Sequence, residues 1–458
     1  MDYGARGDGK SDDTQAFASA WSNICKARGK STLIIPAEKS FLVTKVHFSG
    51  PCNAKIHIQF EGKIVAPPKK AWKGGEKLIS IENLDGLTID GNGQGGIDGD
   101  GSTWWNCHGG CEHERPGAFL SAFSSACKAR GMSTLVIPAR KTFLVTKLVF
   151  SGPCNAKILI QLEGQIVAPY KRAWKAGSYW ISVEYLNGLT IDGKGNGAIH
   201  GNGFTWWPCP TCFRPKMLYF HSCNGLSVSN LRIVNSPKSH VSVNMCNGAK
   251  FSHIHIASPA DSPNTDGFEI SYSSNILIED SDIKSGDDCV AVNGGSSFVN
   301  ATRVTCGPGH GISIGSLGRS RATDKVSNIY VRNCTFIGTT NGARIKTVPG
   351  GTGYARHISF EKIILVNTKN PIIIDQNYNA SKRDTSVSVS DVTYREFTGT
   401  TTSDVPIYLS CSSDGCFGIL LDQNNIVSTQ RGKKTSSFCK NAHGIARNTI
   451  PLVSCLSK

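Results

Sequence analysis

The sequence has no apolar run near the roughly 18 residues that a membrane-spanning helix requires, which excludes a helical membrane protein. Charged residues are scarce at 18%, and acidic ones scarcer than basic, 34 against 49. The apolar content of 39% and the 49 glycines without a collagen period still describe a folded chain. No basic-then-apolar leader is visible at Met1-Asp2-Tyr3-Gly4. Gly307 to Gly311 has no Lys-Ser/Thr, so it is not a phosphate loop, and no nucleic-acid motif accompanies the basic charge. Cys107/Cys111 and Cys209/Cys212 differ in spacing, and no second His or Cys pair completes a zinc site. Asp90-Gly91-Asn92-Gly93-Gln94-Gly95 opens like a calcium loop, but Gly101 stands where the closing carboxylate belongs, so it reads as a glycine-rich turn. No metal and no cofactor are expected.

What is present is more directive. The 458 residues suffice for two or three ordinary domains or one elongated repeat. A formal charge of +15 calls for a polyanionic partner, and seventeen cysteines call for an oxidising compartment, with one thiol left over by parity. Sequons at Asn300-Ala301-Thr302, Asn333-Cys334-Thr335 and Asn379-Ala380-Ser381 agree with secretion. A secreted, monomeric protein is expected, its leader lying outside this sequence.

Residues 16–107 repeat as 118–209 at a constant offset of 102, with 63 identities in 92 positions. Each copy opens with a helical apolar stripe, Ala16, Phe17, Ala20, Trp21, Ile24 and Cys25 in the first, and Ala118, Phe119, Ala122, Phe123 and Cys127 in the second. Ser11, Asp12 and Asp13 can cap the first helix and Gly29 can end it; the second has Arg115-Pro116-Gly117 instead and no counterpart of residues 1–14. This divides the chain into an N-terminal part, residues 1–116, with the extra copy, and residues 117–458. From about 220 onward, short β-branched segments behind Asn, Ser and Gly turns recur every 23 to 30 residues, as in Gly225-Leu226-Ser227-Val228, Asn275-Ile276-Leu277-Ile278 and Asn328-Ile329-Tyr330-Val331. With no leucine frame and no propeller-blade motif, that solenoid period predicts an all-β, right-handed parallel β-helix with a short N-terminal capping helix. Trp104-Trp105 and Trp206-Trp207 are expected to pack between coil and loop.

Coil spacing then selects the chemistry. Asp266, in Asn264-Thr265-Asp266, is followed one coil later by Asp287-Asp288, another coil later by His310, then by Arg344-Ile345-Lys346 and Tyr378. Taken singly, each is an ordinary turn, loop or solvated residue. Together they stack three carboxylates, an imidazole and two cations on one face, an arrangement that like-charge repulsion disfavours unless function demands it. Such a set suits glycoside cleavage: one carboxyl stays protonated for the leaving oxygen, another activates water, and the cations bind an acidic sugar.

Asn264-Thr265-Asp266, Gly286-Asp287-Asp288-Cys289, Gly309-His310-Gly311 and Arg344-Ile345-Lys346 resemble the four signature motifs of the polygalacturonases, glycoside hydrolase family 28, in wording similar to plant members. The resemblance implies an inverting hydrolase of α-1,4-linked galacturonate in pectin. By motif, Asp287 is the general acid, Asp266 and Asp288 position and activate the water, His310 supports the acid, Asn264, Arg344 and Lys346 bind substrate, and Tyr378 lines the cleavage subsite. Both Asp287 and Asp288 reach one cleft only if the backbone bends between them. Spacing and resemblance together suggest disulfides Cys25–Cys52, Cys127–Cys154, Cys289–Cys306, Cys411–Cys416 and Cys439–Cys455, while Asn379 stands where relatives commonly carry a cysteine. Rival readings are an exo-acting enzyme, a calcium-dependent pectate lyase, and a pectin-binding β-helix impaired by its duplication.

Overall fold

The computed structural model describes residues 1–72, 77–91, 95–99, 117–174, 177–378 and 386–456. Trp104-Trp105, Cys107/Cys111, Asn92 to Gln94 of the glycine-rich turn, Arg115-Pro116 and the Asn379 sequon lie outside the described residues. The chain forms two compact units, Met1–His113 and Glu114–Lys458.

In the first unit, a strand (Asp8–Asp12) leads into a helix (Thr14–Lys26) that buries Ala16, Phe17, Ala20 and Trp21. Trp21 packs on Phe48 at 4.5 Å and Phe17 on Phe41 at 5.5 Å between ring centroids. Capping falls to Asp12, whose carboxylate accepts from the Thr14 amide at 2.9 Å. Asp13 instead reaches back to the amides of Arg6 and Gly7, clasping the segment before the strand. The helix stops at Lys26, and Gly29, at φ 82°, opens the next strand. Among the described residues, eight further strands complete parallel sheets of four, three and two strands around a core of their own.

The second unit repeats this plan and extends it. Gly29 pairs with Ala54 and Gly131 with Ala156; Val46 pairs with Ile79 and Leu148 with Ile181. Every strand is parallel to its neighbour, and the coils build one sheet of seventeen strands and one of eleven. Side chains alternate across each strand, so one residue in two points into the core. Phe220, Val243, Ile270, Val292, Ile314, Ile345, Ile374 and Leu409 form one such inner stack, in direct register. This is a right-handed parallel β-helix.

Two differences between the copies follow from what surrounds them. The second helix (Gly117–Lys128) buries only Phe123, where the first buries four side chains. Conversely, the first copy ends on exposed Ile81, Ile89 and Ile97 (41%, 52% and 60%), whereas Val183, Ile191 and Ile199 at the same positions of the second are covered by Phe220, Val228 and Ile233 of the next coil. Deleting residues 15–116 would fuse the first strand directly to the second helix and remove these exposed side chains. Full burial of one large apolar side chain contributes about 1.5–3 kcal/mol. The deletion variant is therefore expected to unfold at higher temperature and scatter less light on heating; an equal or lower melting temperature would refute this.

All five anticipated disulfides are formed, joined by Cys209–Cys212, the pair weighed above only as half a zinc site. Among the described residues three thiols are left over where one was expected: Cys223, Cys246 and Cys334 are all buried and unbridged. Trp206 is buried and packs edge-on against Trp174, and Trp207 donates to the Ser236 carbonyl at 3.1 Å, so this pair is structural.

Candidate active site

The eleven-stranded sheet carries the candidate residues on its outer face and at the bends that enter it. Phe268, Val290 and Ile312 lie in register, and two hydrogen bonds extend the ladder back into the preceding bends, Gly267 amide to Asp288 carbonyl and Cys289 amide to Gly311 carbonyl. Asp266, Asp288 and His310 therefore occupy neighbouring coils at the same edge. Asp287 and Asp288 sit in the bend between strands Ser274–Lys284 and Val290–Val292, not on a strand, which frees them from the alternation that would send them to opposite faces. The Cys289–Cys306 disulfide ties this bend to the end of the strand leading to His310. Gly309 and Gly311 flank the imidazole at φ 146° and 78°, and a Cβ on Gly311 would lie 2.2 Å from the Asn341 carbonyl, so only glycine lets the loop turn so tightly.

Asp287 is the best-connected group at the cleft surface. One oxygen meets His310 Nδ1 at 2.9 Å and also accepts from the Asp288 amide at 2.9 Å; the other accepts from Asn264 Nδ2 at 3.2 Å. Burial alone would push its carboxyl up, but the His310 bond and charge, the Lys346 charge and the Asn264 amide outweigh it and hold the carboxyl below its ordinary value.

Asp288 is buried at 2% exposure, where an isolated charge would be untenable. Arg344 Nη2 donates to one oxygen at 2.6 Å, as does Ser313 Oγ at 2.7 Å, and Lys346 Nζ to the other at 2.7 Å. Both cations of Arg344-Ile345-Lys346 do emerge on the same side of their strand, Asn341–Thr347. They are themselves buried, at 8% and 5%, and direct charge to Asp288. Lys346 also lies 5.3 Å from the centre of the Tyr378 ring, a cation–π contact.

Asp266 is the outlier. Its carboxyl is half-buried and has no hydrogen-bonding partner among the described residues. Desolvation first, then the charges of Asp287, Asp288 and Glu269, raise it well above the ordinary 3.8, with Lys346 only partly opposing. The crowding anticipated for Asp287 thus acts on Asp266, because Asp287 has His310 and Asn264 as partners and Asp266 has none. A group whose folded-state pKa is raised adds stability below its unfolded value and loses it as pH climbs through the folded one. Asp266→Asn is therefore expected to melt above the parent at pH 7, with the gap closing as pH falls toward 3.8. A gap that persists in acid would mean that the cost of ionising Asp266 in this setting is not the cause.

Three further residues belong to the site and escaped sequence reading. Arg214, 6% exposed, donates from Nη2 to Asn264 Oδ1 at 2.7 Å and from its guanidinium to the carbonyls of Pro210, Pro237 and Pro263. By holding the Asn264 oxygen it turns the amide nitrogen toward Asp287. His240, fully buried, meets the Asp266 carbonyl at 2.9 Å and Ser258 Oγ at 2.8 Å; burial pushes its imidazole down to about 4. Glu269 faces the cleft beside Asp266, paired with Lys216 at 2.7 Å; burial raises its carboxyl, but the Lys216 charge and hydrogen bond, with Ser239 and Lys238, outweigh it. Coil spacing alone could have indicated His240, one coil before Asp266, but nothing local marks Arg214, which arrives from the Cys209–Cys212 loop.

Comparisons with known proteins agree with this architecture. The profile of glycosyl hydrolases family 28 matches residues 25–122 and 127–454. A protein of Arabidopsis thaliana named as a probable polygalacturonase is 41% identical over 351 residues, spanning 74% of this chain and 76% of its own. Polygalacturonase-2 of Solanum lycopersicum is 37% identical over 389 residues, 82% of this chain and 80% of its own. Among solved structures, the endo-xylogalacturonan hydrolase of Aspergillus tubingensis superposes with a TM-score of 0.67 at 29% identity, over 75% of this chain and 97% of that one. With the profile spanning both copies and every coil of the cleft, the chain belongs to glycosyl hydrolase family 28.

Proposed function

We propose that the protein is an extracellular polygalacturonase that hydrolyses α-1,4 bonds between galacturonate residues of pectin. The observation that carries this reading is the coil-by-coil stack of Asp266, Asp287–His310 and Asp288–Arg344–Lys346 on one edge of a family 28 β-helix. A formal charge of +15 suits a polyanionic substrate, and six described disulfides suit an oxidising compartment.

The site needs one proton and one ionised base. In the free protein Asp266 holds a proton more readily than Asp287, whose carboxyl is kept below its ordinary value beside His310. A bound galacturonan brings further negative charge to the cleft surface, which draws the proton toward Asp287, the carboxyl that borders the cleft and bonds to His310. Asp287 then protonates the leaving oxygen, and Asp266, now ionised, activates water from the opposite side of the sugar, giving inversion. Both oxygens of Asp288 are already engaged, one by Arg344 and Ser313 and the other by Lys346. Asp288 therefore serves as the counter-ion that orders Arg344 and Lys346, whose spare N–H groups, with Asn264 and the Tyr378 ring, hold the galacturonate carboxylate.

The test is reducing-end release from de-esterified polygalacturonate with chelator present, with ultraviolet absorbance followed in parallel. Hydrolysis gives reducing ends without an absorbance rise; a rise that the chelator abolishes would mean lyase chemistry, and binding without release would mean an impaired binder. An endo-acting enzyme is expected, so viscosity should fall ahead of reducing-end release; monomer as the first product would reverse that assignment.

A further inference from the structure

The seventeen-stranded sheet has a groove of about 830 Å³ on its outer face, away from the catalytic edge. That volume lies in the range, about 300–1,000 Å³, typical of sites that hold small ligands. Asn300 lies in this groove, on the strand Ser297–Cys306, with Leu277 in register on one side and Tyr330 on the other. Ala301 is buried, so Asn300 and Thr302 emerge on the same outer face, the exposed amide two residues before the hydroxyl. Neither side chain has a hydrogen-bonding partner among the described residues. Tyr330 is 46% exposed, and the rim supplies polar groups through Arg332, His357 and Glu361.

We propose that Asn300 is an N-glycosylation site and that the first sugars of its glycan lie along this groove, against the Tyr330 ring. The chemistry matches: an N-acetylglucosamine has an apolar C–H face for the tyrosine ring and amide and hydroxyl groups for the polar rim. In the transfer, Asn300 Nδ2 bonds to C1 of the first sugar of a lipid-pyrophosphate-linked oligosaccharide. The bond from C1 to the pyrophosphate oxygen breaks, the lipid pyrophosphate leaves, and the amide gives up one proton. Asn333 is a built-in contrast: its sequon lies at a turn, with φ 55°, outside the groove. The inference rests on the extracellular reading above.

The experiment secretes the full chain from a eukaryotic host behind a secretion leader and maps glycopeptides by mass spectrometry, with enzymatic release in heavy-oxygen water to mark each occupied asparagine. The expected result is a mark at Asn300 that Asn300→Gln and Thr302→Ala both remove. Amide exchange across residues 297–306 and 327–332 should be slower in the glycosylated parent than in Asn300→Gln, and Tyr330→Ala should lose that protection while keeping the sugar. An unmodified Asn300 in secreted chain overturns the site, and an occupied Asn300 without slowed exchange overturns its seat in the groove. Location of the protein in its own tissue, followed by antibody, bears separately on the extracellular reading.

Discussion

Asp287→Asn is expected to lower sugar release from polygalacturonate by roughly 10²–10⁴-fold, the usual contribution of a positioned general acid. The substitution removes the transferable proton but little else. The amide oxygen can still accept from His310 Nδ1 or from Asn264 Nδ2, as the carboxylate does at 2.9 and 3.2 Å, so the bend should persist. Thermal unfolding should change little, and substrate binding measured without turnover should be retained. A variant that keeps more than about a tenth of the parent rate would place the acid elsewhere, with Asp266 next in line because its carboxyl is raised well above the ordinary value.

The second large effect is on stability. Asp288→Ala leaves Arg344 and Lys346 buried with no carboxylate between them, and Ser313 without its acceptor. Removing one partner of a buried ionic cluster costs about 3–5 kcal/mol, because the desolvated charge that remains is uncompensated. The variant should unfold well below the parent in denaturant and lose activity as well. Replacing the cations too, in Asp288→Ala with Arg344→Leu and Lys346→Met, should recover much of the stability and none of the activity, since hydrophobic groups of similar volume are tolerated where a lone charge is not. If the single variant is as stable as the parent, the cluster is solvated in solution and its structural role falls away.

The reach of the sequence is clearest where residue type and spacing carry the physics. The 102-residue offset, the β-branched phrases behind Asn and Ser turns, and the 22-residue step from Asp266 to Asp288 to His310 are periodicities, and parallel coils convert periodicity directly into stacking. The five anticipated disulfides were legible for the same reason, linking positions that the coil period and a family resemblance bring together. Arg214 was not legible, because it approaches Asn264 across fifty residues from an irregular loop.

The order of the coils, the candidate edge and the identity of its charged groups are properties of this sequence alone, since each follows from local pattern repeated along one axis. Protonation and burial were decided by tertiary structure. Whether a carboxyl is raised or lowered depends on its surroundings: His310 and Asn264 lie beside Asp287 and hold it down, while burial and the neighbouring charges raise Asp266. Likewise Ile97 and Ile199 occupy equivalent places in two similar copies, yet one is 60% exposed and the other 2%, the second lying in register under Ile233 of the next coil. Desolvation and charge proximity are sums over everything nearby in space, and no single stretch of chain contains them.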